Sequence, residues 1–223
     1  MTREEKRDAA LRGASTRYNP WLHLLGPSAV GVAIVAASLA LLRDLRLHQL
    51  ATVPLTVLGL NLAEWAIHRE FMHARRWPLG VLHDRHADHH AVFHEDDMAV
   101  RSPRELWLVL MPGFAIVAAF VASLPIPVAL AAAGASNAAA LFAATTMSYL
   151  VSYELLHASY HAPPDSPFGR SRVVGALRRW HARHHAPRLM QWKNFNVTLP
   201  IGDVVFRTAA PRKFTPLDRD NSK

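Results

Sequence analysis

Residues 105–124 read ELWLVLMPGFAIVAAFVASL, twenty positions with one charge, at the first of them. That is the length an α-helix needs to cross the hydrocarbon core of a bilayer, about 20 mostly apolar residues. Working outward, residues 127–156 form a second apolar run, long enough to cross at a tilt or to extend past the bilayer. Toward the N-terminus lie 47–67 (LHQLATVPLTVLGLNLAEWAI) and 27–42 (PSAVGVAIVAASLALL). The last of these spans only if its flanks, which include Trp21, join it. The competing reading is a soluble all-α domain that buries the same four runs in its core.

The charges favour the membrane. Lys and Arg number 5 in residues 1–27, 2 in 43–49, 6 in 67–104, none in 123–128 and 12 in 157–223. Alternate connections are therefore basic, and the positive-inside rule predicts both termini and the 67–104 loop on the cytoplasmic side. The predicted fold is all-α: an integral, multi-pass membrane protein with about four transmembrane helices and a cytoplasmic helical cap. Its predicted parts are a polar cytoplasmic leader at 1–20, a membrane domain at 21–208 and a polar tail at 209–223.

The chain has no cysteine, which excludes disulfide frameworks, iron–sulfur clusters and thiol nucleophiles. Any metal must be held by nitrogen or oxygen. Ten of the fourteen histidines fall in four clusters: His68 and His73 (HREFMH), His86, His89 and His90 (HADHH), His157 and His161 (HASYH), and His181, His184 and His185 (HARHH). Spacings of i, i+3 and i+4 share a helix face, so three clusters are predicted to aim their rings at a common point. The five-residue spacing of His68 and His73 requires a helix end, or contact with different metals. Ten imidazoles exceed what one ion takes, whereas two ions with about five each would use them all and keep an open position. The pattern predicts a dinuclear site, to which the two clusters after each pair of apolar runs both contribute.

His83 and His94 flank the second cluster and are weaker ligand candidates; His23 and His48 fit no such set and are predicted to be interfacial residues without a role. A phosphate- or nucleic-acid-binding patch would account for Arg170, Arg172, Arg178 and Arg179, but gives no reason for histidine at helical spacing. Those arginines are predicted at the level of the lipid headgroups, with no nucleic-acid partner.

The series HX4H, HX2HH, HX3H, HX2HH, two boxes after each apolar hairpin, resembles the fatty acid hydroxylase superfamily, which includes fatty acid 2-hydroxylases, sterol methyl oxidases and sterol desaturases. Glu64 in EWAIHRE, the segment YELLHASYH and the closing NFNVTLPIGDVVFRT add to the likeness, which runs from about Asn61 to Thr208. It departs at Asn196 and Arg207, where the family has Gly, and at Gly202, where Trp is common.

What the resemblance implies is a membrane non-haem di-iron oxygenase: two iron ions, O2 as co-substrate, and hydroxylation of a lipid C–H bond beside an apolar tunnel. A fatty acyl chain leads as substrate; sterol or carotenoid hydroxylation or desaturation is the alternative, and a zinc-dependent membrane hydrolase a further one. All ten clustered histidines carry over as metal ligands, with Glu64, Asp88, Glu154 and Asp203 as acids that orient their rings. Zinc binds imidazole at least as well as ferrous iron, so a purified sample can carry it. The chain shows no flavin, nicotinamide or haem module, which calls for a separate electron donor such as a reductase, ferredoxin or cytochrome, attracted by the basic tail.

Overall fold

The computed structural model describes residues 1–211, so most of the 209–223 tail lies outside the described residues. The described chain is all-helical, without a β-strand. Helix α1 (Arg3–Arg12) opens on a capping box, in which Thr2 Oγ1 accepts from Glu5 N–H at 3.2 Å and the Glu5 carboxylate accepts from Thr2 N–H at 2.8 Å. Among the described residues, four paths are long and apolar enough to cross a membrane: Pro20–Ala40, Leu47–Met72, Gly113–Ala132 and Ser136–Tyr160.

The first is α2 (Pro20–Ala40), which begins seven residues before the predicted 27. The reason is local: Asn19 caps the N–H groups of Trp21 and Leu22, both at 3.0 Å, and Pro20 fits the first turn, which has no use for its missing N–H. Pro27 is inside the helix and does not start it. The second path is a 3-10 turn, α3 (Thr52–Ile67) and a π-helical turn at His68–Met72.

The third path corrects the opening stretch. Residues 105–112 do not cross with the rest. Leu106–Val109 form the short α5, Leu110 is extended, and Pro112 precedes a fresh start at α6 (Gly113–Ser123). Leu106, Leu108 and Val109 are buried inside the protein, the last two in a cluster with Val92 and Phe93. A lipid environment and a protein interior both select apolar residues, and here the interior claims the first turn and a half. The path continues through α7 (Pro125–Ala132), with Pro125 in a first-turn position, and turns back at 133–135, where Gly134 has φ +79°. The hairpin tip is thus at 134, not within 123–128.

The fourth path, α8 (Ser136–Tyr160), packs against α2, α3 and α7. Contact with α2 is close: a Cβ on Gly31 would lie 2.5 Å from Val151 Cγ2. At the far end of the bundle, Asn137 ties the connection between α2 and α3 by bonds to Arg43 N–H, Arg43 C=O and Gln49. Outward positions such as Val30, Val32, Val117 and Val128 are more than half exposed, the apolar surface a bilayer would cover.

Helices α4 (Gly80–Val92), α9 (Pro167–Arg170), α10 (Arg172–His184) and α11 (Ile201–Val205) complete a cap at the other end, together with α5 and α1. The N-terminal segment is docked on this cap: α1 packs on α4 and α5.

Candidate metal centre

The four clusters come together between the ends of two membrane paths and the cap. His68 leads the π-turn at the end of the second path, His157 belongs to the last turns of α8, and His161 follows that helix directly. The cap supplies His86, His89 and His90 from α4, and His181, His184 and His185 from α10 and its end. Ring nitrogens fall into two groups of five, each with its members within 4.8 Å of one another: His68, His73, His86, His90 and His184; and His89, His157, His161, His181 and His185. Nine of the ten are buried, and His73 is half-buried at the edge of the first group.

Two details differ from the pattern read in the sequence. The five-residue spacing of His68 and His73 is absorbed by the π-turn, closed by His73 N–H to His68 C=O at 3.1 Å. A π-turn brings i and i+5 into line as an α-turn does for i and i+4, so both rings join one group. The HX2HH boxes do not converge on a single point. Adjacent positions on an α-helix are about 100° apart, so His89 cannot share a target with His90, while i and i+4 can. Helix α4 therefore gives His86 and His90 to the first group and His89 to the second; α10 gives His181 and His185 to the second and His184 to the first.

Backbone carbonyls orient the rings. Nδ1–H donates to Leu108 C=O from His89 at 2.9 Å, to Met98 C=O from His161 at 2.7 Å, to Lys193 C=O from His184 at 2.8 Å and to Phe93 C=O from His185 at 2.7 Å. His68 Nδ1 donates likewise to Phe195 C=O. A carbonyl only accepts, so the proton of each neutral ring is on Nδ1 and Nε2 keeps a lone pair. His89 and His185 then face each other Nε2 to Nε2 at 3.1 Å with no proton between them. The Nε2 atoms of His157 and His161 are buried without any partner among the described residues. Protonation is not the remedy, since burial first, and the neighbouring rings second, hold His89, His161 and His185 well below the ordinary imidazole range. Burial likewise pushes His73 down to about 3 and His184 to about 4. Neutral nitrogens that converge in this way fit a cation bound in each group.

None of the four acids expected to orient rings touches one. Asp88 is exposed, and Glu154 accepts from Met111 N–H at 3.3 Å. The other two act one step away. Asp203 accepts from Phe195 N–H and Asn196 N–H, both at 2.9 Å, and from Thr208 Oγ1 at 2.7 Å. Glu64 accepts from Val197 N–H, Thr198 N–H, the Thr198 hydroxyl and the Tyr149 hydroxyl. Together they fix the 194–198 loop that presents the Phe195 carbonyl to His68. The departures from the family pattern are also linked here. A Cβ on Gly202 would be 2.7 Å from Asn196 Oδ1 and from Trp65 Cβ, so Asn196 fills the room that a side chain at 202 would need. Arg207, the third departure, has φ +57°, a conformation that favours glycine.

His83, His94, His23 and His48 stand outside both groups. His83 pairs with Asp84, and His94 with Arg3; His23 bonds Tyr18 and Met111 C=O, and His48 is exposed at the far end of the bundle. A cavity of about 20 Å³ touches the centre, lined by His86, His89, His157, Met72, Leu82, Arg85 and the 108–112 segment. A larger apolar cavity of about 380 Å³ lies between Trp21, Leu106, Leu155 and Phe168, and reaches none of the ten rings. The expected apolar tunnel beside the rings is thus no wider than the small cavity in this conformation. The orienting carbonyls of Phe93, Met98, Leu108, Lys193 and Phe195 left no trace in the sequence, because any residue type supplies a carbonyl.

A family model described as fatty acid hydroxylase matches residues 53–208, and the chain belongs to that family. No curated protein and no solved structure matches the chain.

Proposed function

We propose that this member of the fatty acid hydroxylase family is a membrane non-haem di-iron oxygenase that hydroxylates a C–H bond of a lipid, with a fatty acyl chain as the leading substrate. The observation that carries the reading is the opposed pair of Nε2 lone pairs on His89 and His185, repeated in kind across two groups of five nitrogens. His68, His73, His86, His90 and His184 would hold one ion, and His89, His157, His161, His181 and His185 the other. Bound there, ferrous iron supplies the activation of O2 that an unreactive C–H bond requires, chemistry that no side chain offers.

The chain's own residues do the rest. The five carbonyls hold the Nδ1 protons and so keep each Nε2 turned inward. Met72, Leu82, Leu108, Val109, Leu110 and Pro112 give the small cavity a mainly apolar wall, interrupted by Arg85, that suits an alkyl segment. Its volume admits about one water-sized molecule, so the acyl chain must part these side chains to enter.

One oxygen atom goes to the product and the other leaves as water, which demands an electron pair from outside together with two protons from solvent. A separate acidic carrier fits the surface: residues 170–207 hold eight Arg and Lys against one acid, the buried Asp203. Among the described residues no carboxylate pairs with Arg172, Arg179, Lys193 or Arg207. The basic connections favour the cytoplasmic side for this end. Residues 21–208 form the catalytic unit of the proposal.

Lipid analysis of cells that express the protein tests the reading. Hydroxylation adds the mass of one oxygen atom to a lipid, desaturation removes two hydrogens, and hydrolysis splits the lipid. An unchanged lipid profile with an iron-loaded, reducible protein would refute it.

A further inference from the structure

We infer that α1, which precedes the family-matched segment, is a clamp that positions the second histidine group through the buried ion pair of Arg7 with Glu105; this rests on the metal-centre reading above. The starting point is an asymmetry between the two groups. Three rings of the second group take their acceptors from one stretch of chain: His185 from Phe93 C=O, His161 from Met98 C=O and His89 from Leu108 C=O. The same stretch bonds back at Val100 N–H to His161 C=O at 2.8 Å. In the first group, His68 and His184 use Phe195 and Lys193, on a different loop. Whatever fixes 93–108 therefore bears directly on ring acceptors of the second group and on neither of those that His68 and His184 use.

Between Phe93 and Pro103 that stretch has no helix of its own. What fastens it is α1. Arg7 is the one buried residue of this polar helix, 3% exposed, and its guanidinium pairs with Glu105, itself 4% exposed. The same guanidinium is 3.7 Å from the Asp97 carboxylate and 5.3 Å from the centre of the Phe93 ring. Glu105 also accepts from Arg101 N–H at 3.1 Å. Phe93, Asp97, Arg101 and Glu105 are thus tied at intervals along the stretch. The other α1 pairs, half-buried Arg3 with exposed Asp96 and exposed Glu4 with Arg101, are open to water, where ion pairs contribute little. A buried pair behaves differently: without Arg7, Glu105 is left as an uncompensated buried charge, which drives it toward water and draws the stretch with it.

Arg7 is a positioning residue, and its effect should be confined to one ion. The test compares Arg7→Met with wild type in the full-length protein, loaded anaerobically with ferrous iron and titrated against a chelator. One of the two ions should be held about 10- to 100-fold more weakly, the cost typical of disturbing the groups that orient ligands. In a His73→Ala background, where the better-held ion is in the second group, Arg7→Met should weaken it by that factor. In a His161→Ala background it should change nothing.

Arg7→Lys and the control Arg3→Met should hold both ions, and Glu105→Gln should repeat the Arg7→Met result if that variant folds poorly. Hydrogen exchange supplies a readout without metal: amides of 97–101 should exchange faster in Arg7→Met while those of 194–198 do not. Equal weakening of both ions, or unchanged exchange at 97–101, overturns the clamp. A wild type that binds no ion pair while 97–101 still loosens in Arg7→Met would overturn the metal reading and leave the clamp in place.

Discussion

Replacing Asp203 by Ala removes the acceptor of two buried N–H groups, those of Phe195 and Asn196, each bonded at 2.9 Å and each at most 1% exposed. A buried donor left without a partner costs about 1–3 kcal/mol, so the pair predicts a loss of about 2–6 kcal/mol. That is a large part of the 5–15 kcal/mol by which a domain is typically stable, about what separates a sound fold from a marginal one. The loop is stitched elsewhere, by Glu64 at Val197 and Thr198 and by Asn196 Nδ2–H to Asn61 C=O at 2.9 Å, so local slackening is expected before global unfolding. The element that slackens carries the Phe195 carbonyl, and with it the set of His68. Metal affinity should therefore fall about 10- to 100-fold in the first group alone, with membrane insertion intact. Asp203→Asn keeps one acceptor oxygen and should show roughly half the loss of stability. Thermal unfolding followed with metal titration measures both effects. An Asp203→Ala protein with an unchanged midpoint and both ions held at wild-type affinity would refute the idea that this acid works through the loop.

Ala at any of the ten clustered histidines should abolish turnover, whereas His48→Ala, exposed at the far end of the bundle, and His23→Ala should retain it; an inactive but folded His48→Ala protein would show that the ligand set is wrong. Acid should destabilise the metal-free protein: with native values of about 3 for His73 and about 4 for His184 against about 6.5 unfolded, each contributes stability that is full above pH 6.5 and is lost as pH falls toward the native value. At pH 5 the loss is about 2 kcal/mol for each of the two, from 1.36 kcal/mol per unit, so a melting curve unchanged between pH 7.5 and 5 would contradict the buried neutral rings. Cysteines introduced at Ala133 and Arg172 should react with an impermeant reagent from opposite sides of the membrane, with 172 on the cytoplasmic side, and labelling from one side would overturn the four-path topology.

Much of this was legible because side-chain type carries it. Four apolar runs and four histidine clusters can be read directly, and the wish of ten imidazoles for two centres follows from coordination number alone. What escaped is what side-chain type does not encode. Hydropathy cannot separate residues covered by lipid from residues covered by protein, so 105–112 looked like membrane until Glu105 was found beneath α1. A five-residue spacing says that an α-turn fails, but not that a π-turn replaces it. Acids near the clusters resembled partners of the rings, yet Glu64 and Asp203 bind backbone and the backbone binds the rings. Arg7 belongs to a helix that reads as solvated along its whole length.

The split of the HX2HH boxes has a consequence for assembly. Helices α4 and α10 each give two rings to one group and one ring to the other, so neither group of five exists until both are seated. The remaining rings come from the ends of α3 and α8, at the boundary of the membrane paths. Ten buried polar rings without a cation would face each other as opposed lone pairs, an arrangement that disfavours closure of the cap. A cation in either group relieves the repulsion there, and a second ion relieves what is left in the other. Binding free energy of this kind is folding free energy. Cap order and metal content should accordingly rise together in a titration of the metal-free protein.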